Sequence, residues 1–255
     1  MGDPAVSGEG GASRHKLVLE YAGTAYHGWQ VQPGLPTVQG QLQEALSRIA
    51  DAPVEVMGAG RTDAGVHACG QVASFAADLR LGRAALRRAL NALLPRDIVV
   101  RSAERAAPDF DARRSARAKQ YRYTILRRDY PSAWHGWHSL YVPVPLDADA
   151  MAEAARRVVG THDFSAFRAG TCTAKTAVRT ILAAEWRRED DFWHFEVTGN
   201  GFLQHMVRIL AGTCLEIGRG RRLPAAMTEI LASRDRRRAG KTAPPHGLCL
   251  VSVAY

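Results

Sequence analysis

The stretch GAGRTDAGVHA (58–68) holds Asp63 two residues after Arg61, in a run broken by three glycines. A carboxylate there can act as a nucleophile, a general base or a metal ligand. A metal needs several ligands, and no DxD or HxxxH pattern lies close by, which favours nucleophile or base. The plainer alternative is a turn cap, a common task for Asp beside Gly. No GK[ST] follows the glycines, so a phosphate-cradling loop is poorly supported. Gly58, Gly60 and Gly65 are expected to supply backbone angles that residues with side chains resist.

Two distant side chains could join Asp63. Tyr121 lies in RAKQYRYTI (117–125), where aromatic and basic residues alternate. Such a strand suits base stacking with phosphate contact; a core tyrosine is the alternative. Arg208 lies in NGFLQHMVRILAGT (200–213), beside the apolar face Phe202, Met206, Ile209, Leu210 and Thr213 and on the stripe of Gly201, His205 and Gly212. An arginine flanked by small residues can reach into a cleft and pair with a carboxylate. Otherwise it snorkels to solvent.

The elements that must position these groups follow from periodicity. Residues 15–21 alternate as a strand, and 22–36 read as a long Gly- and Pro-containing loop. Leu42, Ala45, Leu46 and Ile49 make one apolar face of a helix running from just after Thr37 to about residue 50. Strands are expected at 53–57 and 71–76, a helix at 83–94 and a strand at 97–106. The second half repeats the type, with strands at 119–126, 178–188, 192–198 and 247–255. Its helices are expected at 147–159, 202–218 and 224–233. Residues 1–14 read as a disordered tail. The boundary falls near 108, giving an N-terminal subdomain (15–107) that carries the Asp63 loop and a C-terminal subdomain (108–255). Two similar halves around a cleft make an α+β fold.

The chain has 255 residues and a net charge of +9, which makes a polyanionic partner plausible. No apolar run is long enough for a membrane span, and the N-terminal tail lacks a signal-peptide core. Cys69, Cys172, Cys214 and Cys249 form no CxxC pair and lie far apart in sequence. Free thiols in a reducing cytoplasm are the expectation.

Seven blocks, in order, carry a resemblance: residues 21–46, GAGRTDAGVHA, ARAKQYRYTI, HDFSAFRA (162–169), AVRTI (177–181), NGFLQHMVRILAGT and GLCLVSVAY (247–255). Together they resemble the TruA family of tRNA pseudouridine synthases across residues 15–255. The resemblance implies the pseudouridine synthase fold with a mainly antiparallel central sheet. It implies isomerisation of uridine at positions 38, 39 and 40 of the tRNA anticodon stem-loop, with no metal or organic cofactor, by a homodimer. Asp63 matches the catalytic aspartate, Tyr121 the tyrosine that stacks on the target uracil, and Arg61 and Arg208 the arginines near the aspartate. Arg208, or Arg61, is expected to pair with Asp63. Cys249 stands where relatives commonly carry an aromatic. Phosphate contacts are expected from Arg83, Arg87 and Arg88 and from the basic run 234–238. The rival reading is a non-catalytic RNA-binding module of the same fold.

Overall fold

A computed structural model describes residues 12–255. The elements, in chain order, are β1 (Ser13–Tyr21), α1 (Val38–Ala50), β2 (Val56–Gly58), β3 (His67–Ala77), α2 (Arg83–Leu93), β4 (Ile98–Arg105), β5 (Ala118–Leu126), β6 (Leu140–Tyr141), α3 (Ala148–Arg156), β7 (Gly160–Asp163), β8 (Val178–Glu189), β9 (Phe192–Gly199), α4 (Met206–Gly218), α5 (Ala226–Ser233) and β10 (Leu248–Ala254). β1 starts at Ser13, so Ser13 and Arg14, expected in the tail, are paired strand residues. Residues 1–11 of that expected tail lie outside the described residues.

The strands form one ten-stranded sheet in the order β4-β1-β3-β10-β5-β9-β8-β7, with β2 on β3 and β6 on β5. The pairings are antiparallel except β3–β10 and β5–β6. The fold is therefore α+β, as the sequence pattern implied, with the mainly antiparallel sheet that the resemblance implied. The last strand of the chain is not an edge. β10 lies between β3 and β5 and joins the sheet of the first half to that of the second.

Alternation explains most strands. On β1, Leu17, Leu19 and Tyr21 are buried while the residues between them are not. Each such leucine contributes about 1.5–3 kcal/mol by leaving water. β3 is different, with nearly every residue buried. Its second face is covered by the segment after β4, where Ala112 packs on Val72 and the Ala112 amide donates to Ser74 Oγ at 3.0 Å. α1 begins at Thr37, whose side chain accepts from the Gly40 amide. Asp147 caps α3 in the same way, through the Ala150 amide.

Some elements differ from the sequence pattern: β3 starts at His67 where 71 was expected, and α3 ends at Arg156 where 159 was expected. The strand expected at 53–57 is paired only over Val56–Gly58, because the Val54 amide is taken by Ser47 Oγ. The helix expected from residue 202 starts at Met206, after His205 in the left-handed region at φ 63°. The short strands β6 and β7 carry too few residues for a visible period. α4 itself is apolar almost all round, and only Arg208 and Glu216 keep partial exposure. Among the described residues no helix is long and apolar enough to cross a membrane.

Candidate active site

The Asp63 loop is fixed from beneath. Thr62 is buried, and its Oγ1 meets the Tyr21 hydroxyl at 2.8 Å. The Thr62 carbonyl accepts from the Trp29 amide at 3.0 Å, and Asp63 O accepts from the Val66 amide. The fully buried Gln71 donates to Gly60 O at 2.8 Å. These bonds tie the loop to β1, to β3 and to the long loop after β1.

The glycines act mainly by leaving space. Of the three in this loop only Gly65 has a left-handed backbone, at φ 77°. The expectation of unusual angles at Gly58 and Gly60 does not hold. A Cβ on Gly58 would sit 2.5 Å from the Trp29 indole, and one on Gly60 would crowd Lys119 at 3.2 Å. Gly28, in the neighbouring loop, has both needs. Its φ is 89°, and a Cβ there would lie 2.6 Å from the Thr62 carbonyl oxygen and 3.1 Å from Asp63 C.

Strand register brings Tyr121 to the loop. Tyr121 on β5 is paired with Leu250 on β10, and Leu250 with Ala68 on β3, where the Asp63 loop re-enters the sheet. Tyr121 is 6% exposed and packs edge-on against Phe202, with ring centroids 5.0 Å apart. Burial first, then the nearby Tyr21 and Asp63, raises its phenol well above the ordinary tyrosine range. It therefore keeps its proton at neutral pH.

Arg208 reaches Asp63 across the sequence. Its Nη1 donates to Asp63 Oδ2 at 3.0 Å, and its Nε donates to the Ala243 carbonyl at 2.8 Å. The Arg208 side chain is only 12% exposed and that of Asp63 21%, so water screens the pair poorly. Gly212 makes this anchoring possible. A Cβ there would lie 1.8 Å from the Lys241 carbonyl oxygen, so only glycine lets the segment before β10 cross α4 and present Ala243 to the guanidinium.

The sequence left open which arginine pairs with Asp63. Arg208 does. Arg61 is exposed and makes no ion pair among the described residues. A residue not anticipated at the site is His205, whose Nε2 lies 3.7 Å from Asp63 Oδ2. Burial is the main reason its imidazole titrates below the ordinary range; Asp63 pulls it up and Arg208 pushes it down. The sequence pattern put it on the stripe of Arg208 without assigning it a role; its left-handed backbone, at φ 63°, sets it just before α4. No group of three or more His, Cys, Asp or Glu among the described residues is placed to hold a metal.

The basic run 234–238 is mostly engaged within the chain. Arg234 pairs with Asp163, Arg237 with Asp235 and Arg238 with Glu229, while Arg236 donates to Gly240 O and Thr242 Oγ1. Arg83, Arg87 and Arg88 lie exposed on α2. Cys69 and Cys249, remote in sequence, stand with sulfurs 3.4 Å apart across the β3–β10 pairing. All four cysteines are free thiols.

Comparison with known proteins shows the family. The family model described as tRNA pseudouridine synthase matches residues 17–113 and 154–255, which include Asp63 and Arg208. The chain belongs to that family. "tRNA pseudouridine synthase A" of Myxococcus xanthus is 51% identical over 244 residues, covering 95% of this chain and 92% of its own length. The proteins of the same name from Acetivibrio thermocellus and Geobacter sp. are 45% and 46% identical, each covering 94% of this chain and 98% of its own length. Among solved structures, an archaeal box H/ACA sRNP Nop10–Cbf5 complex matches 79% of this chain and 44% of its own, at 15% identity and a TM-score of 0.34.

Proposed function

We propose that this chain is an isomerase that converts uridine to pseudouridine at positions 38, 39 and 40 in the anticodon stem-loop of tRNA. The observation that carries the reading is the Asp63–Arg208 pair set beside the wall formed by Tyr121. The reaction breaks the C1′–N1 bond, turns the uracil and joins C5 to C1′, so the base must first leave its stack. Asp63 is the catalytic nucleophile or base, either adding to the sugar or taking its proton. Arg208 aims the carboxylate, and Tyr121 holds the flipped uracil. Arg61, which is exposed and makes no ion pair among the described residues, is available to the RNA backbone. Phosphate contacts from exposed arginines such as Arg83, Arg87 and Arg88 would make affinity fall steeply with salt.

The proposal extends to a cytoplasmic homodimer working without a cofactor, each chain divided near residue 108 into two subdomains. The two-residue parallel register between β3 and β10 supports that division, as the sheets of the two halves meet there.

Asp63→Asn tests the assignment. Pseudouridine formation releases the C5 hydrogen, so tRNA tritiated at uridine C5 reports turnover directly. The variant should keep the fold and tRNA affinity and release no tritium above background. Substantial release would sink the role given to Asp63.

A further inference from the structure

We propose that Trp134 and Trp137 form a stacking platform for unpaired RNA nucleotides flanking the target uridine; this rests on the tRNA reading above. Trp134 is 83% exposed and Trp137 62%, with Tyr130 at 59% nearby in the chain. Large aromatic rings left in water at this density mark contact surfaces. The loop that carries them is not loose. Ser132 Oγ accepts from the His135 amide, Ser139 Oγ donates to the His135 carbonyl, and the Gly136 amide donates to Ser132 O. The His135 ring packs edge-on against Phe192 of β9. The rings are thus held outward by a braced turn, which limits the entropy lost when a base stacks on them.

The loop adjoins the active site. His138, next to Trp137, lies 4.7 Å ring to ring from His67, at the end of the Asp63 loop. The surroundings carry cations as well as aromatics: Arg128 lies over the Tyr130 ring at 4.1 Å while pairing with Asp191, and Arg127 and Arg188 line the same cleft. Every base has a face for stacking, and cations beside it meet the phosphates, so the combination fits single-stranded RNA. Two tryptophans and a tyrosine fall well short of the roughly 800 Å² per partner of a standard protein interface. A second copy of this chain would therefore have to bury further surface beyond these rings, which sedimentation tests.

The test compares Trp134→Ala/Trp137→Ala with Trp134→Phe/Trp137→Phe. Binding of a labelled anticodon stem-loop RNA and of a fully paired RNA duplex is measured, with sedimentation of each protein. Stacking on an aromatic ring accounts for enough affinity that the alanine pair should bind the stem-loop at least about tenfold more weakly. The phenylalanine pair should stay within about threefold of wild type, and duplex binding and sedimentation should not move. Unchanged stem-loop affinity in the alanine pair overturns the platform. So does an equal loss on the duplex, or a shift in oligomeric state. Tritium release by the wild type is read separately. If the wild type fails to turn over tRNA but binds the stem-loop through these tryptophans, the isomerase reading fails and the platform stands.

Discussion

Gly28→Ala should slow catalysis without touching substrate, and Gly34→Ala supplies its control. Both glycines have a left-handed backbone, at φ 89° and 73°. An alanine therefore carries a similar conformational cost of about 1–2 kcal/mol at either position. They differ in space. A Cβ at Gly34 meets nothing within 4 Å, whereas one at Gly28 lies 2.6 Å from the Thr62 carbonyl oxygen, and ordinary contact begins at 3.4 Å. Thr62 must retreat by about 0.8 Å, and Asp63, whose own carbonyl carbon is 3.1 Å from the new methyl, must move with it. The retreat strains the bond from the Trp29 amide to Thr62 O and the contact of Thr62 Oγ1 with Tyr21. A misplacement near 1 Å at the reacting group costs about a hundredfold in rate. Single-turnover tritium release should thus fall about a hundredfold in Gly28→Ala, with RNA affinity near wild type. Gly34→Ala should react within about threefold of wild type. Melting temperature should fall in both and further in Gly28→Ala, by a margin worth about 1–3 kcal/mol for the added crowding. Equal rates for the two variants would refute the reasoning, because it makes displacement of Asp63, and not strain at a glycine, the cause.

Arg208→Lys keeps the charge but cannot reach Asp63 Oδ2 and Ala243 O together from one amine. We expect kcat to fall about 10- to 100-fold with KM moved less, and stability to drop by about 1–3 kcal/mol, read by denaturant unfolding. Acid should destabilise the protein before its carboxylates titrate. Burial holds His67 down to about 4 and also lowers His15, His194, His205 and His246, so the unfolded chain binds more protons between about pH 4 and 6.5. Stability is then full above about pH 6.5 and declines as pH falls toward 4. Melting temperature measured across that window should drop, and drop less in His67→Gln. A flat profile would contradict the buried, neutral state of these rings.

Local pattern made much of the fold legible. The alternation of aromatic and basic residues along 117–125 marked β5 as a strand, and Tyr121 and Tyr123 share its buried face. The stripe Leu42, Ala45 and Leu46 located α1, and Thr37 its start. These features are set by side chains a few residues apart, so a sequence window contains their cause. The Asp63 loop stood out in the same way, through its own residue types. What the window lacked was everything decided by strand order. β10 enters between β3 and β5, and that insertion sets Tyr121 beside the Asp63 loop and brings Cys249 to Cys69. Arg61 and Arg208 were equal candidates in sequence, yet only Arg208 meets the carboxylate. The backbone left of α4 turns through His205 in the left-handed region, and Gly212 admits the segment that holds the guanidinium. The sequence by itself determined which residues could react and which faces are apolar, since both are local properties. The tertiary structure decided which of those residues meet, because contacts between Asp63, Tyr121 and Arg208 depend on chain crossings that no short-range period encodes.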